Sequence, residues 1–243
     1  MHEASYLDLE SAEQRIQQLF EEPERRRRCL TWLCHDPDPS TQRATIDLLV
    51  QASEGDEEAA RILKESFAGR LAFGTAGLRG LVGPGPGRMN EALLRQVTWG
   101  LSTYLGEYLD LGDRGNAAEA PAVVVGYDGR LDSRYFAEVA ARVFAAAGLR
   151  VYLWPTLCPT PLLAYSLTAL RCIAGVMVTA SHNPPAYNGF KVYWGDGAQI
   201  TPPHDSGISA AIDRAPPSDQ ILCLSLAELE SAGWVQEIPT SVG

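Results

Sequence analysis

The chain has 243 residues, enough at roughly 150 residues per domain for one or two domains with a sizeable core. Apolar residues make up 46% of the chain and charged residues 21%, which excludes wholesale disorder. The formal net charge of −10 argues against a general nucleic-acid partner, because phosphate backbones are bound by clustered Lys and Arg side chains.

Neither export nor membrane insertion is indicated. The amino terminus, MHEASYLDLE, is acidic where a secretory signal peptide is basic, and apolar runs such as residues 173–178 are far shorter than the ~20 residues that span a bilayer. The five cysteines are odd in number and show no C-x-x-C spacing, so they predict neither a disulfide framework nor a thiolate zinc site. We therefore expect a cytoplasmic protein with no membrane partner.

Charge density divides the chain near residue 70, because 24 of the first 70 residues are charged but only 26 of the remaining 173. In the first part, residues 40–52 carry apolar side chains at helical spacing, and Asp56 is predicted to cap a helix that runs through Phe67. The basic run 25–28 follows three nearby glutamates, which favours an ion-paired helix surface over a localisation signal. Residues 1–70 are thus predicted to form an N-terminal helical extension.

Beyond residue 71 the pattern alternates between helices and strands. Asn90 is predicted to cap an amphipathic helix, and residues 122–126 (AVVVG) form a continuous apolar strand of the kind found in covered parallel sheets. Ser133 is predicted to cap the next helix, which Gly148 ends.

Two further strands complete the succession. Residues 151–154 form one strand, Pro161 opens another helix, and residues 173–178 form the next strand. This βαβαβ order predicts an α/β fold with right-handed crossovers.

The end of the chain shows a weaker pattern of helices and strands. A short helix near residues 208–213 is followed by prolines and one apolar stretch. The predicted organisation is therefore an extension at 1–70, a domain at 71–215, and a tail at 216–243 that is either the incomplete start of a second domain or loosely held.

Several familiar sites are absent from the sequence. No phosphate-binding G-x-x-x-x-G-K-[ST] loop and no G-x-S-x-G occur, and the glycines at 83–87 alternate with prolines, which indicates a turn. Ser181 and His182 are adjacent, so their side chains point in different directions and His182 is poorly placed to deprotonate Ser181. A serine hydrolase is not predicted.

The strand at 173–178 continues into TASHNPP, and Asn188-Gly-Phe-Lys191 follows. Ligands of open α/β sheets bind beyond the carboxyl ends of the strands, so Ser181, His182 and Lys191 stand where a nucleophile or phosphate carrier is expected. Lys191 is one of only two lysines in the chain. A structural alternative, an Asn-Pro turn beside a solvated lysine, remains open at this point.

These residues resemble a known family. The segment TASHNPPAYNGFKVYWGDGAQITPPHD is similar to the phosphoserine loop and following strand of the α-D-phosphohexomutase superfamily. FGTAGLRG at 73–80 resembles its amino-terminal substrate loop, and GYDGR at 126–130 resembles its second-strand motif. Within the superfamily, the residues of these motifs are most similar to those of the phosphoglucomutase-2 subgroup. The resemblance covers roughly residues 25–215. The resemblance implies a three-layer α/β/α sandwich, the first domain of the phosphohexomutase fold.

The resemblance also implies a chemistry. Ser181 would carry a phosphoryl group, with Lys191 and His182 as further catalytic residues. Four residues would bind substrate or phosphate: Arg79, Thr75, Asn183 and Arg130. An Asp128–Arg130 ion pair that only supports the loop is the alternative for Arg130. Mg²⁺ would contact Ser181 through its phosphate and take its other ligands from a second domain, and a sugar bisphosphate would serve as the phosphorylating activator.

The sequence departs from the family pattern in one respect. The family's D-G-D-x-D-R magnesium loop and its later sugar-binding and phosphate-binding loops are not found. We therefore expect this chain by itself to convert sugar phosphates slowly or not at all. Three functions stay open: a mutase of glucose or pentose phosphates, a glucose-1,6-bisphosphate synthase, and a truncated non-catalytic form acting as a binding or regulatory module. In the enzymatic cases the partners are small sugar phosphates.

Overall fold

The computed structural model describes residues 9–75, 77–110, 116–239 and 242. The helices in this part of the chain are α1 (Leu9–Leu19), α2 (Pro23–His35), α3 (Pro39–Ser53), α4 (Glu57–Ser66), α5 (Glu91–Tyr108), α6 (Ser133–Ala146), α7 (Thr160–Ala169), α8 (His204–Asp213) and α9 (Leu226–Ser231). The strands are β1 (Leu78–Leu81), β2 (Ala122–Tyr127), β3 (Arg150–Leu153), β4 (Ala174–Val178), β5 (Tyr187–Trp194) and β6 (Val235–Glu237). None of the described helices is both long and apolar enough to cross a membrane.

The first four helices form the predicted helical extension. Their facing side chains build an apolar core of their own, which α5 joins through Ala92. Asp56 caps α4 as predicted, because its carboxylate accepts hydrogen bonds from the backbone of Glu58 and Ala59 at 2.9 and 3.0 Å. The basic run in α2 is also ion-paired as predicted, since Arg25 binds Glu22 and Arg27 binds Glu24 one turn away.

Six strands form one mixed sheet in the order β1-β5-β4-β2-β3-β6. The four strands β4, β2, β3 and β6 run parallel, and β5 runs antiparallel to both of its neighbours. The predicted strands in 122–126, 151–154 and 173–178 are confirmed to within a residue or two at each end. Since β5 is antiparallel, its amino end lies at the same edge of the sheet as the carboxyl ends of the parallel strands.

Helices cover the two faces of the sheet unequally. One face carries the larger apolar core, which α5, α6, α8 and α9 share with buried side chains of β2, β4 and β5. The other face is covered by α7 through Leu163 and Leu167, which pack near Met177 and Tyr193. This arrangement confirms the predicted three-layer α/β/α sandwich with a helical extension.

The tail beyond residue 216 differs from the prediction. Residues 218–220 form a short 3-10 turn, α9 packs on α6, and β6 joins the sheet as a parallel neighbour of β3. Leu229 and Val235 are only 3% and 2% exposed. The expectation of a loosely held tail was wrong for residues 216–239, because the two apolar side chains complete the main core and β6 pairs with an edge of β3 that would otherwise be open.

Candidate active site around Ser181

Ser181 lies in a loop that leaves the carboxyl end of β4. This segment, residues 179–186, is called the serine loop below, and it leads directly into β5. Ser181 is exposed and has a backbone φ of +56°, a left-handed conformation that is uncommon for a residue other than glycine. Such a conformation persists only where the surrounding structure imposes it, so hydrogen bonds from neighbouring residues must hold this loop in shape.

Arg130 imposes the shape of the serine loop. One of its terminal nitrogens donates to the backbone carbonyls of Ser181 and Asn183 at 2.9 and 2.8 Å. The other donates to the carbonyls of Pro184 and Tyr187, both at 2.9 Å. The guanidinium therefore contacts the loop from Ser181 to Pro184 and the first residue of β5, and its two terminal nitrogens donate to four backbone acceptors.

Asp128 connects Arg130 to the strand end. Its carboxylate lies 3.2 Å from Nε of Arg130 and accepts a hydrogen bond from the Thr179 hydroxyl at 2.6 Å. The Thr179 hydroxyl in turn accepts from the Ser181 backbone N–H at 2.9 Å. Of the two interpretations of Arg130, the geometry matches the loop-supporting ion pair and leaves no terminal donor for a phosphate.

Ser133 contributes to the same network rather than capping α6. The residue before α6 is Asp132, and Ser133 is the first helical residue. The Ser133 hydroxyl donates to the Asp128 carboxylate at 2.6 Å and accepts from the Asn188 amide at 3.0 Å. The predicted cap was therefore wrong by one residue, because Ser133 is already part of the helix and its hydroxyl oxygen accepts from the Asn188 amide and not from a backbone N–H of the first turn.

Arg79 reaches the serine loop from β1. Its guanidinium donates to the side-chain oxygen of Asn183 at 2.7 Å. Strands β1 and β5 lie close together here, because a Cβ on Gly189 would lie 2.7 Å from the carbonyl oxygens of Leu78 and Thr179. Arg79 and Asn183, which the resemblance gives as substrate- or phosphate-binding residues, are thus in direct contact, although their numbers differ by 104.

Lys191 lies on the same face of the sheet as Arg79. Arg79 is paired with Gly189 on β5, and side chains two residues apart on a strand share a face. Arg79 and Lys191 are therefore diagonal neighbours, a relation that separates residues by about 7–8 Å. Neither side chain forms an ion pair with any carboxylate of the residues that the structure describes.

Thr75 approaches β5 through a tight turn. Gly74 and Gly77 exchange backbone hydrogen bonds of 3.0 and 2.7 Å, and Gln199 donates to the Thr75 carbonyl at 2.8 Å. Gly77 has a φ of +76°, and a Cβ there would lie 2.1 Å from the carbonyl oxygen of Phe190. Glycine is required at this position for the turn to reach Lys191.

His182 is exposed beside Ser181. Its imidazole forms no hydrogen bond or ion pair with any other residue in the described ranges. The structure therefore does not bring His182 into contact with the two cations, and its predicted role stays a prediction.

Cys158 is the other nucleophilic side chain near this edge, since its backbone N–H donates to the carbonyl of Tyr127 at the end of β2. Burial raises the pKa of the Cys158 thiol to about 12. A thiol with that pKa stays protonated at neutral pH and is a poor nucleophile. Ser181, unlike Cys158, is exposed.

A groove of about 370 Å³ lies beside the serine loop, lined in part by Arg130, Leu131 and Asn183. Its size lies in the range of small-molecule pockets. Leu131 is 94% exposed at its rim.

Magnesium does not fit the residues that are present. The described residues contain no group of three His, Cys, Asp or Glu side chains that could hold a metal ion. The carboxylate of Asp128, at the serine loop, is already bonded to Thr179, Ser133 and Arg130. The described residues therefore do not form a magnesium site by themselves.

Comparison with known proteins identifies relatives of this arrangement. The family profile described as phosphoglucomutase/phosphomannomutase, alpha/beta/alpha domain I, matches residues 70–218. A phosphopentomutase of Pongo abelii is 42% identical over 190 residues, which cover 75% of this chain and 29% of that protein. A glucose 1,6-bisphosphate synthase of Mus musculus is 37% identical over 190 residues, covering 75% and 28%.

A solved structure shares the fold as well. The crystal structure of a candidate phosphomannomutase from Thermus thermophilus superposes with a TM-score of 0.53 and 32% identity, covering 64% of this chain and 32% of that one. The present chain thus spans less than a third of the length of these relatives.

Proposed function

Because this chain belongs to the phosphoglucomutase/phosphomannomutase family, we propose that it supplies the phosphoryl-carrying first domain of a sugar-phosphate mutase. Ser181 is the carrier in this proposal. The observation that supports it most is the position of Ser181: it is exposed, it is in a left-handed conformation that Arg130 maintains, and it lies two residues before Asn183, whose side chain the Arg79 guanidinium contacts.

The transfer needs a nucleophile, a charge partner and a path for one proton. The hydroxyl oxygen of Ser181 attacks a phosphorus of a sugar bisphosphate, a new O–P bond forms, and the O–P bond to the sugar breaks. The serine proton passes to the sugar oxygen that leaves, which gives a sugar monophosphate and phosphoserine. Phosphoserine can then phosphorylate the free hydroxyl of an entering sugar monophosphate, which regenerates Ser181 and forms the bisphosphate. When that bisphosphate reorients and Ser181 takes the phosphate from the other sugar oxygen, the monophosphate that leaves is the isomer of the one that entered.

Arg79 and Lys191 supply the positive charge. Phosphoserine carries a charge of about −1.5 to −2 at neutral pH, and an arginine can bind its oxygens in a bidentate manner. Lys191 contributes a point charge and is the candidate for assisting proton transfer at the attacking hydroxyl. Neither side chain has a carboxylate partner in the described residues, so the charge of both can act on a phosphate.

The remaining predicted site residues take supporting roles. Asn183 orients Arg79 through the bond described above. Thr75, in the turn before β1, and His182, in the serine loop, are both exposed, and a hydroxyl and an imidazole can bond to phosphate oxygens. Arg130 is a positioning residue in this proposal and contacts no phosphate.

Pentose phosphates are the substrate class to test first, because the phosphopentomutase relative is more similar than the bisphosphate synthase, 42% against 37% identity. We also propose that the 243-residue chain alone turns over substrate slowly, since phosphoryl transfer depends on neutralising charge and on positioning, and no magnesium site is found in the described residues.

Labelling tests the assignment of Ser181. The chain is incubated with glucose 1,6-bisphosphate labelled in its phosphates and then mapped by mass spectrometry. Label is expected on Ser181, absent from Ser181→Ala and unchanged in Ser206→Ala, which removes an exposed serine on α8 far from the loop. Label that persists in Ser181→Ala, or that maps to another residue, contradicts the proposal.

A further inference from the structure

A second cavity lies away from the serine loop, between the helical extension and the α/β domain. Its volume is about 380 Å³, within the range of small-molecule sites. One wall is α2, with Thr31 and Trp32, and the other wall is α5 together with the start of the tail, with Leu93 and Pro217. The two walls are joined directly, because the Ser218 hydroxyl donates to the His35 carbonyl at 2.8 Å.

The lining combines an apolar floor with positive charge. Trp32 and Leu93 are 8% and 2% exposed, so each shows the cavity only part of its surface. Every charged or titratable side chain in the lining is basic: Arg27, Arg28, Arg70 and His35. The cavity therefore offers an apolar floor, on which the body of a ligand could rest, and a positively charged edge. The chain as a whole has a net charge of −10.

Three of these four basic groups already have a carboxylate partner. Arg27 binds Glu24, Arg70 binds Asp213, and His35 lies 3.1 Å from Asp219. Those pairs reduce the charge that a ligand would meet at the corresponding parts of the edge.

Arg28 is different. Its Nε and Nη2 atoms donate to the backbone carbonyls of Phe67 and Ala68, both at 2.9 Å. No carboxylate pairs with it among the residues that the structure describes, and its Nη1 atom makes no hydrogen bond there. The guanidinium is therefore held in one orientation by backbone atoms while one nitrogen remains available.

We propose that this cavity binds a small amphipathic organic anion, with an aromatic or aliphatic body on Trp32 and Leu93 and a single acidic group on Arg28. A carboxylate, sulfonate or phosphate satisfies the cationic edge, and the apolar floor excludes a bare inorganic ion as the best ligand. The site takes residues from both sides of the boundary at residue 70, and it is independent of the reaction proposed for Ser181.

Two fluorescent probes that differ in one group test the proposal. The probe 8-anilinonaphthalene-1-sulfonate has the anionic group, and N-phenyl-1-naphthylamine has the same ring system without it. Wild-type protein is expected to bind the sulfonate saturably and at least about tenfold more tightly than the neutral probe, a factor typical of one charge-assisted contact.

Variants separate this cavity from other apolar surfaces. Thr31→Trp places a bulky ring in the cavity from an exposed position and is expected to weaken both probes at least about tenfold. Arg28→Met keeps the stem and removes the charge, so the preference for the sulfonate should disappear. Arg43→Met, an exposed arginine on α3 outside the cavity, should change neither affinity.

The outcomes decide the proposal without ambiguity. Absence of saturable sulfonate binding to the wild type overturns it, and so does unchanged sulfonate affinity in Thr31→Trp. If Arg28→Met loses its circular-dichroism signature of folding, Thr31→Trp still decides the location, since that substitution is on the surface of α2. Equal affinity of the wild type for the two probes overturns the charge assignment and with it the anionic ligand.

Discussion

The serine loop and the helical extension are held by opposite kinds of interaction. The loop is exposed over most of its length and keeps its shape through hydrogen bonds to Arg130 and Thr179. The extension is held by apolar side chains such as Phe20, Leu49 and Phe67, each at most 1% exposed. Site geometry and stability thus depend on different residues, and substitutions should affect them separately.

The largest expected effect is on the loop. Arg130→Met removes four hydrogen bonds, three to loop carbonyls and one to the carbonyl of Tyr187 in β5, so Ser181 should leave its left-handed conformation. We expect the rate of Ser181 phosphorylation to fall by about a hundredfold or more, the cost of misplacing a reacting group. The rate is measured with labelled glucose 1,6-bisphosphate.

Arg134→Met is the matched control for Arg130→Met, because Arg134 is exposed on α6 and pairs with Glu138 one turn away. It should leave the phosphorylation rate unchanged. A normal rate in Arg130→Met would show that the loop holds its conformation without the arginine.

The second effect is on stability and should spare the site. Leu49→Ala opens a void in the fully buried core of the extension, and we expect the free energy of unfolding to fall by about 2–5 kcal/mol. Leu48→Ala, its half-buried neighbour, should cost less than half as much. Urea unfolding measures both. Loss of Ser181 phosphorylation in folded Leu49→Ala would show that the two regions are coupled.

A smaller effect concerns pH and the extension alone. Burial raises the pKa of the Asp36 carboxyl from 3.8 to about 6, although Thr41 and the backbone of Asp38 donate hydrogen bonds to it. The folded protein therefore retains this proton between about pH 4 and pH 6 when the unfolded chain has lost it. Asp36 thus favours folding below about pH 4, and this contribution is lost as the pH rises to about 6.

Asp36→Asn should remove this dependence. Relative to the wild type, the variant should gain stability as the pH rises from about 4 to about 7, and guanidinium unfolding at several pH values measures the difference. Asp47→Asn, on the same extension but exposed on α3, is the control. A difference between Asp36→Asn and wild type that does not change with pH would contradict the raised pKa.

The sequence predicted the extension and the parallel strands, because apolar periodicity carries that information. The resemblance placed Arg79 and Asn183 in one site, and their side chains are in contact. It did not predict β6, since three residues with two exposed side chains give no strand pattern, and their pairing with β3 depends on contacts distant in sequence. Thr179 was not assigned a role either. Its position two residues before Ser181, at the end of a buried strand, could have indicated that its hydroxyl supports the loop.

The most direct test of the account measures the charge around a phosphate on Ser181. Phosphoserine is incorporated at position 181 during synthesis, and its titration is followed by phosphorus NMR. If Arg79 and Lys191 both face the phosphate, its second pKa lies well below the ordinary value of about 6, because nearby cations favour the dianion. Arg79→Met and Lys191→Met should each raise that pKa, and Lys64→Met, which changes the chain's other lysine, should not. A second pKa of about 6 that neither site substitution alters would contradict the account.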